Sequence, residues 1–315
     1  MELLDTKPRT LLMSCGLLEL DQSMSFSILY AKVRELAATA QAMGALGAEL
    51  QLRQSGKDGD PRVRNALQVV ANKFGLDQID DLGPAQIATI VGQLTYALQE
   101  GLDLIREPDR QPGWTYEDPT ILQERGRGSR AGARNFETIA RQRPALAAVL
   151  NGNSKVLDVG TGTGWLAIEC AKIWPSMQIV GTDIWEPALK LAASNIANEG
   201  LQDRIELRRQ DINELSDQKA FDFIWVPTMF LPINTIDRII PRVIQALVPG
   251  GFVVLGMFAP APGPYGEAIR DLLTIRSGGH PWRGDEFGNR LQLAGLRDVE
   301  YIDSGSTTCV MLGRR

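Results

Sequence analysis

The run Val156-Leu157-Asp158-Val159-Gly160-Thr161-Gly162-Thr163-Gly164 joins a short apolar stretch to a turn with three glycines. Glycines let a ligand approach the backbone closely, and a helix starting at Trp165 would turn its unpaired N–H groups toward the same point. That is chemistry for a nucleotide or nucleoside. A dinucleotide fingerprint reads G-x-G-x-x-G, whereas here the third glycine comes one residue early and Trp165 fills its place, which disfavours NAD. Asp158 precedes the first glycine, where a carboxylate can organise the turn and face a positively charged amino group, directly or through water. The next apolar run ends in Gly181-Thr182-Asp183, placing a carboxylate where a ribose would offer two hydroxyls. Ile184 and Trp185 follow and suit the face of an adenine. A third run ends in Gln210-Asp211-Ile212, whose carboxylate can accept from an exocyclic amine while the isoleucine packs on the ring. Capping of the following helices is the other use for Asp183 and Asp211.

A second group of residues suits an acceptor. In an open parallel sheet, ligands lie beyond the carboxyl ends of the strands. Thr228, Met229 and Phe230 follow one such end, Met257 and Phe258 close another, and Tyr265 lies just beyond. They form either an apolar or aromatic acceptor pocket or ordinary core. Pro227-Thr228 carries no carboxylate cluster, so the oxygen ligands of a magnesium-assisted reaction are missing there and the expected chemistry is metal-independent. His280 is the single histidine of the chain, in Gly279-His280-Pro281-Trp282; its near-neutral titration makes it the candidate general base, against a packing role in a turn. Residues 121–150 hold six arginines against two glutamates, and Arg127 and Arg130 among them either recognise an acceptor carboxylate or phosphate or form a solvated charged segment.

The elements that position these residues follow from periodicity. From about residue 154 onward, short apolar runs alternate with helical stretches, which implies an α/β fold with a parallel sheet covered on both faces. The last two runs, DVEYID and TTCVMLG, are separated by three residues only and must form an antiparallel hairpin. The first 106 residues read as mainly helical. Phe26, Leu29, Val33, Leu36, Ala40 and Met43 make a narrow seam that Gly44 and Gly47 should end or bend; Asp60-Pro61 opens a second helix and Gly83-Pro84 a third. Thr10 to Leu20 suits strand or helix. Residues 107–120, rich in proline around Trp114 and Tyr116, read as an ordered connector.

With VLDVGTGTG, GTDIW and RQDI in this order, followed by FDFIWVP, ALVPGGFVVLGMF and the closing hairpin, the chain resembles the class I S-adenosylmethionine-dependent methyltransferase superfamily. The resemblance covers about residues 120–315; the helical part is similar in layout to accessory domains of small-molecule members. It implies a Rossmann-like seven-stranded sheet with an antiparallel final strand, in a domain spanning 121–315, and S-adenosyl-L-methionine as cofactor. Asp158 with Gly160, Thr161, Gly162 and Gly164 would hold the methionine part, Asp183 the ribose, and Ile184, Asp211 and Ile212 the adenine. The activity implied is methyl transfer to a small, largely apolar or aromatic metabolite, with oxygen favoured over nitrogen or carbon. The helical part would serve as lid and homodimer contact. A cofactor-binding scaffold without turnover, and a protein or RNA methyltransferase, are the other functions this signature serves.

Composition narrows the field further. A formal net charge of -5 gives no global attraction to nucleic acid, and 44% hydrophobic with 23% charged residues is globular. Cys15, Cys170 and Cys309 are odd in number and widely spaced, with no C-x-x-C pair, which suits a reducing compartment. No apolar run is long enough to span a membrane, and the amino terminus lacks a signal-like core, so a cytoplasmic protein without membrane or nucleic-acid partners is expected.

Overall fold

The computed structural model describes residues 25–79, 82–114, 116–303, 305 and 307–315. Thr10 to Leu20, read as strand or helix, lies outside them. The chain divides into two compact units, 1–106 and 107–315.

The first unit contains helices α1 (Phe26–Ser55), α2 (Pro61–Asn72) and α3 (Pro84–Arg106). Asp60 caps α2 by accepting from the N–H of Arg62, and Pro61 occupies the first turn, where its missing N–H costs nothing. The expected break at Gly44 and Gly47 does not occur: α1 is one helix of 30 residues that stops at the left-handed Gly56. Packing overrides propensity here, because Leu50, Ala71, Leu76 and Ile87 form a common core that holds the second half of α1 in place. In the first half the seam faces solvent, with Phe26 80% and Leu36 56% exposed.

The second unit is a seven-stranded sheet in the order β3-β2-β1-β4-β5-β7-β6. The strands are β1 (Lys155–Val159), β2 (Gln178–Asp183), β3 (Ile205–Arg209), β4 (Phe221–Pro227), β5 (Leu247–Phe258), β6 (Arg297–Ile302) and β7 (Thr308–Arg314). The first five run parallel, and β7 lies antiparallel between β5 and β6. The predicted hairpin is therefore present, with its second strand inserted beside β5.

Helices α4 (Pro119–Gly128), α5 (Arg130–Arg141), α6 (Pro144–Asn151), α7 (Trp165–Ile173), α8 (Glu186–Asn198), α9 (Ile233–Ala246), α10 (Gly266–Arg276) and α11 (Gly284–Leu293) complete the unit. Strand alternation sends Val254 into one core with Phe136 and Ile168, and Val253 and Leu255 into another with Ile236 and Phe287. Both faces of the sheet are thus covered, and ligand access is left to its edges and ends. Among the described residues no helix is long and apolar enough to cross a membrane.

The Gly- and Arg-rich stretch is itself helical. Asp118 caps α4 through the N–H groups of Thr120 and Ile121, with Pro119 in the first turn. Further on, α5 buries Ala133, Phe136, Ile139 and Ala140 while Arg134 and Arg141 are exposed.

Candidate active site

The turn after β1 has Gly160, Gly162 and Gly164 at φ 64°, 56° and 81°, the left-handed region that L side chains avoid. The Thr161 N–H donates to the carbonyl of Thr182, which ties the turn to the end of β2. Asp158, 3% exposed, accepts at Oδ2 from the Thr161 hydroxyl at 2.7 Å. Burial pushes its carboxyl up to about 7; the Thr161 hydrogen bond opposes this, and the charge of Asp183 reinforces it. A cationic amine seated beside Asp158 would relieve the cost of ionising it.

Asp183 ends β2 with Oδ2 accepting from the Gly162 N–H and Oδ1 from the Trp185 N–H, both at 2.8 Å. Burial raises its pKa, opposed by the N–H groups of Trp185, Gly162 and Ile184. Each oxygen spends one acceptor direction on the backbone and keeps another for a diol. Ile184 beside it is 62% exposed, an apolar surface open to a ring. Asp211 accepts from the backbone and side-chain nitrogens of Asn213, so it caps the short turn 212–214, and Ile212 is 7% exposed within the core.

Several residues around the turn carried no signal in the sequence. Gln123 of α4 accepts from the Trp165 indole at 2.8 Å and donates to Asn195 of α8, whose own amide reaches the carbonyl of Thr163 at 2.8 Å. The turn is thus clamped from outside. Gly126 sits so close that a Cβ there would lie 1.9 Å from the Thr163 hydroxyl. The Asp118-Pro119 start was visible in the sequence and could have located α4; the clamp depends on tertiary contacts between distant segments. Arg127 and Arg130 stand over the Trp165 ring at 5.8 and 3.9 Å, beside this clamp. The connector joins in as well, since the Trp185 indole donates to the carbonyl of Tyr116 at 2.8 Å.

At the other half of the sheet edge, Thr228 is fully buried and donates to the carbonyl of Gly256 at 2.6 Å, lacing the ends of β4 and β5 together. Beyond them opens a cavity of about 310 Å³ whose lining includes Met229, Met257, Phe258, Thr274, His280 and Trp282. His280 is half-buried and meets Trp282 edge to face at 4.5 Å. At the same cavity, Arg270 and Arg283 both bind Asp271. Phe230 stands behind Phe258, edge to face at 5.9 Å, and meets Trp114 of the connector at 5.6 Å. Tyr265 is 60% exposed at the start of α10 and does not line the cavity; neither do Arg127 and Arg130.

Comparison with known proteins agrees with this geometry. Residues 156–251 match a family described as a methyltransferase domain. Curated relatives include a tRNA1(Val) (adenine(37)-N6)-methyltransferase of Vibrio campbellii, 39% identical over 71 residues, which are 22% of this chain and 30% of that protein. A ribosomal protein L11 methyltransferase of Desulforamulus reducens is 29% identical over 147 residues, 46% of each chain. The chain thus spans less than half the length of either curated relative. Among solved structures, human N-acetylserotonin methyltransferase in complex with S-adenosylmethionine superposes with a TM-score of 0.59 at 14% identity, over 94% of this chain and 99% of that one. Residues 156–251 thus carry a methyltransferase-domain match, within a fold shared with a methyltransferase solved together with S-adenosylmethionine.

Proposed function

We propose that this protein transfers the methyl group of S-adenosylmethionine to a small, largely apolar or aromatic metabolite, with an oxygen acceptor favoured and without a metal. The observation that carries this reading is the cavity of about 310 Å³ at the ends of β4 and β5, lined by Met229, Met257 and Phe258 beside His280. The same cavity also presents Glu267, Arg270, Arg283 and Asp285, so its lining suits a compact acceptor that carries polar groups on an apolar body. The fold of human N-acetylserotonin methyltransferase, which is named for a small molecule, matches over 94% of this chain and supports this reading.

The cofactor supplies an activated methyl group on a sulfonium. The chain's residues hold and align. Asp158 would hold the amino group, Asp183 the ribose hydroxyls, and Ile184 the adenine, with Asp211 and Ile212 at the third strand end. Thr228 holds the ends of β4 and β5 in register, and an acceptor would rest on Met229 and Met257 beyond them. His280 accepts the proton of the acceptor hydroxyl as its oxygen attacks. In the helical unit, the exposed seam of Phe26, Leu29, Val33 and Leu36 supports self-association. Free, buried Cys170 and Cys309 accord with a cytoplasmic setting.

The test is mass spectrometry of metabolite extracts incubated with protein and cofactor. One small molecule should gain one methylene mass; tight cofactor binding with no methylated product from any extract would favour a scaffold instead. His280→Gln should lower kcat by about a hundredfold or more, and an unchanged kcat would remove His280 from catalysis.

A further inference from the structure

Arg276, the last residue of α10, is 7% exposed, and among the described residues no carboxylate pairs with it. Its Nη1 donates to the carbonyl of Glu107 at 3.0 Å, while Nε and Nη2 are buried with no partner. Those two nitrogens are the parallel donors along one edge of the guanidinium plane, the fork that matches the two oxygens of a carboxylate. A buried cation without a paired anion is costly, and a carboxylate along that edge would offset the cost.

The surroundings hold the fork in place and link it to the proposed acceptor site. The Gly113 N–H donates to the carbonyl of Arg276 at 3.0 Å, so the connector wraps the end of α10. Arg110, in the same connector, also has a buried Nε without a partner, while its Nη1 donates to the Tyr116 hydroxyl. Just after Arg276, Gly279 packs so closely that a Cβ there would lie 2.2 Å from the carbonyl of Met229, and the next residue, His280, lines the cavity with Met229. Trp114, Phe230 and Phe258 form an aromatic wall from the connector to that cavity. Gly278 and Gly113, at φ 90° and 133°, pack so closely that a Cβ on Gly278 would lie 3.2 Å from the Gly113 Cα.

We propose that the Nε/Nη2 edge of Arg276 is a carboxylate-binding site, and that the methyl acceptor is an aromatic carboxylic acid whose ring lies along the Trp114–Phe230–Phe258 wall. The ligand class rests on the small-molecule reading above; the anion site itself does not. Arg110 adds a second cation nearby in the connector, and the remainder of the acceptor is left to the cavity, whose lining combines Met229, Met257 and Phe258 with Glu267, Arg270 and Arg283.

The experiment uses full-length protein with benzoate and its neutral isostere benzamide as probes, by calorimetry and thermal shift at constant ionic strength. Benzoate should bind and raise the Tm saturably, with at least tenfold tighter binding than benzamide. Arg276→Gln should lose at least tenfold in benzoate affinity while S-adenosylhomocysteine binding stays within twofold. Arg276→Lys, which keeps the charge but not the fork, should lose most of the preference too. Equal binding of the two probes by the unsubstituted protein, or benzoate affinity retained in either folded variant, overturns the site. If the Gln variant does not fold, the Lys variant and the benzoate–benzamide comparison decide. Absence of S-adenosylhomocysteine binding in the unsubstituted protein would instead overturn the methyltransferase reading. Benzoate binding together with methylation confined to acceptors without a carboxylate would overturn the acceptor assignment and keep the site.

Discussion

Asp158→Asn isolates the buried carboxyl beside the glycine-rich turn. Burial raises the Asp158 pKa from 3.8 to about 7. The folded chain therefore holds a proton there that the unfolded chain has lost, across the window from about pH 4 to 7, and stability falls as pH rises through that window. A shift of this size corresponds to about 4 kcal/mol once both states are ionised, of which about 1.5 kcal/mol is already lost at pH 5. The asparagine variant is neutral throughout. Between pH 5 and 8 the unsubstituted protein should thus lose about 2.5 kcal/mol more than Asp158→Asn.

All six tryptophans fall within residues 107–315, so their fluorescence in urea titrations reports on that unit alone. Cofactor binding supplies the opposite arm. If the bound amino group pairs with ionised Asp158, S-adenosylhomocysteine affinity should rise about 15-fold from pH 5.5 to 7.0, following the ionised fraction of a group with pKa about 7. In Asp158→Asn the affinity should be weaker and nearly flat over the same range. Parallel pH slopes for the two proteins, in either stability or affinity, would refute both the buried-acid account and its role toward the amine.

Other substitutions separate packing from chemistry. Gly126→Ala should weaken S-adenosylhomocysteine binding about tenfold or more, because its Cβ would fall 1.9 Å from the Thr163 hydroxyl. Gly128→Ala, two residues on in the same helix with nothing within 4 Å, is the control and should leave affinity unchanged while adding up to about 1 kcal/mol of stability. Calorimetry on the pair checks both, and equal effects would show that the closeness of α4 to the turn does not matter. Thr228→Val keeps the shape but drops the 2.6 Å hydrogen bond to Gly256, and should cost about 1–3 kcal/mol in urea unfolding.

The sheet was legible in the sequence because its signals are local: strand runs of period two, helices between them, and a final spacer too short for a crossover. The same is true of Asp158, Gly160, Gly162, Gly164 and Asp183, which one continuous stretch and the next strand end bring together. The interruption expected in α1 shows the limit, since propensity at Gly44 and Gly47 cannot register the core that Leu50 shares with Ala71 and Ile87. Gln123, Asn195 and Thr163 lie in three separate segments, and no spacing rule joins them. The lining residues Thr274 and Trp282 were hidden for the same reason.

Arginine shows most clearly what a chain of letters leaves out. The density of arginines in residues 121–150 drew attention to Arg127 and Arg130, which the structure sets against the face of Trp165. Arg276 stands in an unremarkable last turn, where a cation suits the helix dipole, yet among the described residues its Nε and Nη2 are both buried with no partner. Density measures how many charges a segment carries; recognition depends on how many donors remain unpaired once the chain has folded. A buried guanidinium without an anion lowers stability, so Arg276→Met should stabilise the ligand-free protein in a buffer without carboxylate or phosphate if it loses only the Glu107 contact. A purely structural arginine would behave in the opposite way, because removing its hydrogen bond to the connector would lower the Tm.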